Sequence, residues 1–219
     1  WSIYGVYKSK NALGAVADWV YEFNNRPITA PQVFEHSDTS PFILIQEQDH
    51  TTHAISPSGS KLWSTVFHGR LVGQAQQLED RSIIVVTDRN RLYRFDPNGN
   101  SLPGFSLGMD NAPTYTPTIG LIDGQPFIFV PAGRTLLVYT LDGEEVESWK
   151  DKSLNGKILF DIKIHNDRVY VGTENGHFYQ FDAQGKLLKE EVIADSQFKN
   201  PIVLISQEHN QLAVYAVDT

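Results

Sequence analysis

The sequence predicts an all-β fold built from repeats of about 44 residues, and three observations support this prediction. Short β-branched and aromatic runs recur at 42–46, 83–87, 127–131, 169–173 and 212–217. A glycine turn recurs between these runs, as in FDPNG (95–99) and FDAQG (181–185). A similar segment opens each unit, at Pro27, Leu71, Pro113, Ile158 and Pro201, with spacings of 44, 42, 45 and 43 residues. Apolar runs bounded by polar turns are typical of buried strands.

Each unit contains four predicted strands, named A to D from its opening segment. In the second unit we expect strand A near 70–78, B at 82–88, C at 91–96 and D at 101–106. The glycine of the C–D turn supplies the positive φ that closes a tight hairpin. The residue three positions before it is Ser, Asp or Thr, which can hydrogen-bond the turn backbone. No helical pattern is long enough to compete with these strands.

The repeat length indicates how the units pack. A small four-stranded sheet cannot bury both faces alone, and a unit near 44 residues fits the blade of a β-propeller. We therefore predict a single five-bladed β-propeller domain over 1–219, with four-stranded antiparallel blades. The expected blades are 27–69, 70–111, 112–155, 156–198, and a fifth made of 199–219 plus 1–26.

The fifth blade would combine the two chain ends, because the C-terminal and N-terminal remainders together make one unit. We expect strand B within 212–217 to pair with strand C within 2–7. This pairing would close the ring and leave no unpaired strand edge at the seam. The alternative is a segment of a longer propeller with six to eight blades. Since the chain begins with Trp1, we expect a processed or excised segment.

Three tryptophans occupy the predicted strand D of their units: Trp19, Trp63 and Trp149. A large aromatic side chain at one recurrent position favours packing between neighbouring blades, because such side chains dominate the burial of apolar area. A platform for ligand binding is the minority interpretation.

Composition excludes several classes of partner and site. The 219 residues carry a formal net charge of −8 and a pI of about 5.3. A protein of this charge repels nucleic acid, so no nucleic-acid partner is expected. The sequence has no run of 18 apolar residues, and no membrane span is predicted. It has no cysteine, which excludes disulfides, cysteine nucleophiles and thiolate metal sites.

Two stretches, VYVGTENGHFYQFDAQGKLL (169–188) and HAISPSGSKLW (53–63), resemble the repeats of quinoprotein-like (PQQ-type) β-propellers. In that family a strand ending in Gly-Thr, an acidic-Gly turn, an aromatic strand, an Asp-x-x-Gly turn and a terminal Trp recur. The quinone enzymes of the family have eight blades, a calcium-held quinone and commonly a vicinal cysteine pair. Too few blades and no cysteine in this chain imply the non-catalytic branch, without a cofactor. That branch includes a periplasmic lipoprotein, which implies an exported, periplasmic or cell-surface, bacterial protein.

Candidate catalytic and metal-binding residues are sparse. A glycoside hydrolase needs two carboxylates that converge on one bond. Only Asp161 lies in the middle of a predicted strand A, whereas Glu35 and Glu208 lie near strand ends. Asp161 is therefore predicted to be a hydrogen-bonded inner residue or a partner of Lys163. The seven histidines fall in different units or on opposite strand faces, so neither a metal site nor an enzyme is predicted.

One pattern indicates a binding site. The residues immediately before the five A strands are Arg26, Arg70, Ala112, Lys157 and Asn200, with Lys199 beside the last. Since A strands surround the axis of a propeller, these residues except Ala112 should meet at one channel mouth. A basic ring there would attract carboxylates, phosphates or an acidic peptide. In the competing interpretation the cations pair with nearby acids or stay hydrated.

These observations favour a non-enzymatic interaction or scaffold propeller. It would bind a protein partner, with an anionic ligand or acidic peptide at the channel mouth. The alternative is a lectin-like propeller for a glycan or another small ligand, which predicts near-identical pockets between the blades. A glycoside hydrolase is a third, less favoured class.

Overall fold

The computed structural model describes residues 2–5, 18–36, 40–193, 203–205 and 213–215. In these residues the regular structure consists of antiparallel β-strands and one short 3-10 helix, without an α-helix. The all-β prediction is confirmed. No helix in this part of the chain is both long enough and apolar enough to span a bilayer.

The strands form sheets between neighbours in sequence. The N-terminal pair consists of β1 (Ser2–Gly5) and β2 (Trp19–Glu22). Sheet I contains β3 (Gln32–Phe34), β4 (Phe42–Gln46), β5 (Thr51–Ile55) and β6 (Lys61–Val66). Sheet II contains β7 (Gln76–Gln77), β8 (Ile83–Thr87), β9 (Arg91–Phe95) and β10 (Leu107–Gly108).

The second half of the chain follows the same order. Sheet III contains β11 (Thr118–Ile122), β12 (Gln125–Ala132) and β13 (Thr135–Thr140), followed by the 3-10 helix (Glu147–Trp149). Sheet IV contains β14 (Lys163–His165), β15 (Arg168–Gly172), β16 (His177–Phe181) and β17 (Leu187–Val192). The C-terminal pair consists of β18 (Val203–Ile205) and β19 (Ala213–Tyr215).

Sheets I, II and IV have the predicted four strands, but sheet III has three. In the third unit the segment expected to form strand D makes only an isolated bridge, between Tyr139 and Glu145, before the 3-10 helix begins. Trp149 therefore lies in a 3-10 helix and not in a strand as predicted. The 3-10 helix interrupts the ladder, and beyond it the described part of the chain pairs with β13 again only at the isolated bridge Thr135–Ser153.

Strand D of sheet II begins later than predicted. The expected span is 101–106, but Ser101 forms only an isolated bridge with Phe95, and β10 starts at Leu107. Pro103 lacks the N–H that a ladder requires, and Gly104 follows it with φ of +81°. The chain therefore leaves the sheet after Ser101 and pairs with β9 again at Leu107.

The predicted closing pair is not confirmed. β1 pairs with β2 and β18 pairs with β19, in two separate two-stranded sheets. Residues 6, 7, 212, 216 and 217 of the predicted partners lie outside the described residues. Five blades, closure, a single domain and the blade boundaries therefore stay predictions.

Consecutive sheets touch along their opening strands. Backbone N–H groups of one sheet donate to side-chain oxygens of its neighbour: Ala75 to Gln32 (2.9 Å), Gln74 to Thr116 (3.0 Å) and Asp123 to Asp167 (2.8 Å). Sheets I to IV therefore follow one another in space in the order of the sequence.

The core lies between the faces of these sheets. Every residue of β8 is buried, and its side chains pack alternately towards sheet I and sheet III. A strand that is covered on both faces has no polar face, which explains why the B strands are nearly continuous apolar runs. One hydrophobic cluster thus lies between sheets I and II and another between sheets II and III. A third cluster, around Phe129, Trp149 and Val171, fills the space between sheets III and IV.

The three tryptophans pack on turn glycines of the following sheet, so the prediction of packing between blades is confirmed. A Cβ atom on Gly99 of sheet II would lie 2.7 Å from the Trp63 ring of sheet I. The Trp63 Nε1–H group donates to the Pro97 carbonyl of the same turn at 2.8 Å. The other two contacts are Trp19 on Gly59 and Trp149 on Gly185.

Gly99→Ala tests this contact. We expect a loss of about 2–4 kcal/mol in the free energy of unfolding, because the new methyl group adds a positive-φ penalty and a clash with the Trp63 ring. Gly124→Ala is the matched control, since Gly124 has φ of +72° and a Cβ atom added there would meet no other atom within 4 Å. The control should lose only about 1–2 kcal/mol. Equal losses in urea unfolding would show that the ring contact contributes nothing.

Candidate functional site

Arg26 and Arg70 line one surface depression of about 680 Å³. The remaining lining residues are Pro27, Ile28, Gln48, His50 and Asp88. They come from the segments that open sheets I and II and from the B–C turns of the same sheets. The arginine depression is therefore formed by two consecutive repeats.

The backbone positions both arginines in the same way. The Gln48 N–H donates to the Arg26 carbonyl at 2.9 Å, and the Asp88 N–H donates to the Arg70 carbonyl at 2.9 Å. In sheet IV the Glu174 N–H donates to the Lys157 carbonyl, also at 2.9 Å. The three cationic positions are thus structurally equivalent in the repeat.

The structure brings together two of the five predicted site residues. Arg26 and Arg70 share the depression, whereas Lys157 is exposed on sheet IV and does not line it. Lys199 and Asn200 lie outside the described residues. The complete basic ring, and ligand binding by it, stay predictions.

The charges of the depression are partly balanced. Arg70 Nε lies 3.9 Å from Asp88 Oδ2, with the two side chains 62% and 40% exposed. An ion pair this long and this exposed contributes little to stability. Asp88 Oδ1 also accepts from the Arg70 backbone N–H at 2.9 Å, so the carboxylate mainly fixes the loop. The expectation that these cations pair with nearby acids is therefore met only in part for Arg70. Its guanidinium still faces solvent.

A buried carboxylate holds the turn that carries Arg26. Glu47 is 1% exposed and accepts from the Asn24 and Asn25 backbone N–H groups at 3.2 and 3.0 Å. The Asn25 side-chain amide donates to the same carboxylate at 3.1 Å. His53 Nε2 lies 3.0 Å from Glu47 Oε1, outside hydrogen-bond geometry. Glu47 thus ties the 24–26 turn to sheet I.

The pKa values of Tyr21 and Asp49, two neighbours of this turn, are shifted. The Tyr21 hydroxyl lies 3.0 Å from His53 Nδ1, and burial, with the Glu47 charge, raises the pKa of Tyr21. At the solvent-exposed end of the turn, the Thr51 backbone N–H holds the pKa of Asp49 below its usual value. Asp49 also accepts from the Asn25 side chain at 3.0 Å. Asn25 therefore bridges a buried and an exposed carboxylate.

Glu47 was not identified from the sequence, because strand B of sheet I was aligned with strand B of sheet II one residue out of register. The alignment of FILIQ with IIVVT matches Gln46 to Thr87. The isolated bridges Pro27–Glu47 and Leu71–Thr87 show that Glu47 is the residue equivalent to Thr87. An alignment of ILIQE with IIVVT would have shown a glutamate at a buried position that is threonine in sheet II.

Asp161 lies just before β14 and not in the middle of a strand A as predicted, and its side chain is about half exposed. Lys163 Nζ lies 3.5 Å from Asp161 Oδ2, so the predicted partnership is confirmed. Over the described ranges, no three histidine, aspartate or glutamate side chains come close enough to hold a metal ion. His50 lines the arginine depression and His53 is buried, so the HTTH segment does not form one site.

A groove recurs at each junction between consecutive sheets I to IV. The grooves have volumes of about 260, 320 and 430 Å³ at the I–II, II–III and III–IV junctions. The same strand-C position lines each of them, occupied by Tyr93, Leu137 and Tyr179 in turn. Their other lining residues differ: aromatic in the first, largely acidic in the second, and of mixed charge in the third. This divergence does not favour the lectin-like alternative, which requires near-identical pockets.

Comparison with known proteins identifies the architecture. No protein-family model matches the chain, and no curated protein matches it in sequence. BamB from Moraxella catarrhalis superimposes with a TM-score of 0.61 at 15% identity, over 92% of this chain and 61% of that one. Sqt1 from Saccharomyces cerevisiae superimposes with a TM-score of 0.67 at 11% identity, over 98% of this chain and 64% of that one. BBS1N, solved in complex with ARL6DN, superimposes with a TM-score of 0.59 at 13% identity, over 92% of this chain and 66% of that one.

These structures are β-propellers, and the chain therefore has a β-propeller fold, as the repeat predicts. The chain spans 61–66% of the length of these three proteins. BamB has PQQ-like repeats and Sqt1 has WD40 repeats. The PQQ-type branch and the number of blades stay predictions.

Glu47→Gln tests the buried carboxylate. The amide presents N–H groups towards the Asn24 and Asn25 donors, so we expect a loss of about 2–4 kcal/mol in the free energy of unfolding. Glu35→Gln is the control, because the Glu35 side chain is 78% exposed. It should change stability by less than about 0.5 kcal/mol. Similar urea midpoints for the two variants would contradict the role assigned to Glu47.

Proposed function

We propose that this chain is a non-enzymatic protein-interaction propeller that binds an acidic segment of a partner protein at the arginine depression. The observation that carries the proposal is the convergence of Arg26 and Arg70, from two consecutive repeats, on one concave surface. Guanidinium groups form paired, charge-assisted hydrogen bonds with carboxylates, which favours aspartate and glutamate side chains as their guests.

Charge supports this choice of ligand. The chain as a whole carries −8, yet the depression contains two arginines against one aspartate. A local positive potential on an acidic protein guides an acidic segment to one place and repels it elsewhere.

The fold supports the class of function. A propeller presents broad faces made of loops on a rigid scaffold, a geometry suited to protein binding. The similar propeller BBS1N was solved in complex with ARL6DN. We extend this mode of action, binding of a protein by a propeller, to this chain as part of the proposal. The proposal is non-enzymatic because the sequence offers no second carboxylate to form a catalytic pair with Asp161.

We also propose that five blades close into one domain through the two terminal pairs. The proposal is supported by two antiparallel pairs: β18 with β19 corresponds to the expected strands A and B, and β1 with β2 to strands C and D. A two-stranded sheet by itself is only marginally stable, so pairing of β19 with β1 would stabilise both pairs.

Cysteine cross-linking tests the closure, since the chain has no cysteine of its own. Ser2→Cys, and separately Ile3→Cys, are combined with a single cysteine at 213, 214 or 215. Closure predicts rapid disulfide formation in the pairs that face each other, detected as a mobility shift on non-reducing gels. Ser2→Cys combined with Gln184→Cys, on sheet IV, is the control and should stay reduced. If no terminal combination forms the disulfide faster than this control, the ring is open.

A fluorescent hexaglutamate peptide tests the acidic ligand. We expect Arg26→Gln/Arg70→Gln to weaken binding at least about tenfold in anisotropy titrations, because two charge-assisted contacts are lost. Binding to the unaltered chain should also weaken as salt rises. Lys61→Gln, an exposed lysine on β6, is the matched control and should bind as the unaltered chain does.

Lys157→Gln extends the same experiment to the wider ring. A loss as large as that of the arginine variant would mean that the site reaches sheet IV. Unchanged binding in the double arginine variant would refute the proposal.

A further inference from the structure

The III–IV groove differs from the other two grooves in the state of its charges. In the I–II groove Arg94 is paired with Asp80 at 2.6 Å. In the II–III groove Lys150 lies 3.7 Å from Glu145 and 2.6 Å from Glu147. Each of these lining cations is paired with an acid of the protein itself.

In the III–IV groove, by contrast, the lining cations are not paired with any described acid, and Asp151, which also lines the II–III groove, is not paired with a described cation. Arg134, Asp151 and Lys152 line it, and none of them forms an ion pair with any residue that the structure describes. Arg134 uses its Nε–H to bind the Leu154 carbonyl at 3.0 Å, which leaves its terminal nitrogens for another partner. Asp151 has φ of +57°, an uncommon conformation for a residue other than glycine. The rim therefore offers donors and acceptors that the described part of the protein does not satisfy.

The floor of this groove is apolar. Leu154 and Phe181 are buried there, and the Leu187 side chain on β17 remains 46% exposed. The cavity of about 430 Å³ has room for one aliphatic side chain with its flanking backbone. A guest with an apolar centre and charged flanks would cover Leu187 and reach the rim at the same time.

A chain of hydrogen bonds fixes the polar wall. The Thr173 hydroxyl donates to Asn175 Oδ1 at 2.8 Å, and the Asn175 amide donates to Asn155 Oδ1 at 3.2 Å. The Asn155 amide then contacts His177 Nε2 at 3.0 Å, and His177 Nδ1 contacts Glu190 Oε1 at 3.1 Å. With Asn155 as the donor, His177 donates to Glu190.

This network orders two residues of the groove before any guest arrives. The Asn155 backbone N–H also donates to the Tyr179 hydroxyl at 2.9 Å, so Asn155 is held at three points. Glu190 is oriented by His177, and its side chain is 42% exposed and therefore accessible to a guest. Fixed side chains lose little conformational entropy on binding, which favours a preformed site.

We propose that the III–IV groove binds a short peptide segment of a partner protein, with an aliphatic anchor residue flanked by one acidic and one basic residue. The anchor packs on Leu187 and Leu154, the acidic flank pairs with Arg134 and Lys152, and the basic flank pairs with Glu190 and Asp151. The inference rests on the proposed protein-binding function but not on the arginine depression, which lies at the junction of other repeats.

The test uses capped tripeptides and the isotope-labelled full chain. Acetyl-Arg-Leu-Glu-amide and acetyl-Glu-Leu-Arg-amide are titrated while the backbone amide resonances of 151–155 and 187–190 are followed by NMR. At least one of them should shift these resonances with a dissociation constant on the order of 1 mM, as expected for so small a ligand. The same peptide with glycine in place of leucine should bind at least about fivefold more weakly, because the apolar anchor is lost.

Leu187→Ser is the decisive variant, and Leu188→Ser is its matched control. Both side chains are about equally exposed, 46% and 45%, but only Leu187 lines the groove. Leu187→Ser should weaken the tripeptide about three- to tenfold, and Leu188→Ser should leave it unchanged. Equal effects of the two variants, or no shift of the groove resonances, would overturn the inference. Shifts produced by methyl glucosides and not by the tripeptides would overturn it in favour of a glycan.

Binding of hexaglutamate separates this inference from the proposed function. Leu187→Ser should leave hexaglutamate binding intact, because Leu187 does not line the arginine depression. Loss of tripeptide binding with hexaglutamate binding retained supports two separate sites. Hexaglutamate binding without any tripeptide binding would leave the arginine depression as the site and refute the groove.

Discussion

The contact between a tryptophan ring and the turn glycine of the following sheet is the constraint on which the rest of this structure depends. It joins the N-terminal pair to sheet I, sheet I to sheet II and sheet III to sheet IV. Burial of a tryptophan removes about 150–250 Å² from water, roughly 4–6 kcal/mol before ordering costs. The contact also fixes the distance between sheets, because the ring meets a backbone without a side chain.

The II–III junction shows what replaces this contact. Sheet II has no tryptophan at the equivalent position, and a Cβ atom on Gly143 would lie 2.7 Å from the Gly104 carbonyl oxygen. Backbone thus packs on backbone, with two glycines in contact. Arg94 adds a second link by donating to the Leu141 carbonyl of sheet III. The two sheets therefore stay in close contact although the side chain that joins the other junctions is missing.

The sequence predicted the all-β repeat and the tryptophan contacts because each depends on residues close together in the chain. Strand length in sheet III could not be predicted, since no pattern in the repeat indicates the 3-10 helix that replaces strand D there. Closure depends on pairing between the two ends of the chain, which no local pattern determines. Of the candidate site, the equivalence of Arg26, Arg70 and Lys157 could be predicted from the repeat. Glu47 could not, because its burial depends on a one-residue shift in the alignment of sheet I.

Divergence at equivalent positions is what gives this repeat protein distinct sites. The position before strand A is Arg26, Arg70, Ala112 and Lys157 in sheets I to IV, and the backbone bonds that hold the three cationic residues hardly change. The inter-sheet grooves vary in the same way: the lining cations Arg94 and Lys150 are paired with acids at two junctions, whereas Arg134 and Lys152 at the third are not paired with any described acid. A regular scaffold allows such changes, since most of the residues concerned lie in loops and at the edges of the sheets. Function in this chain should therefore be sought where the repeats differ most in charge, and not where they agree.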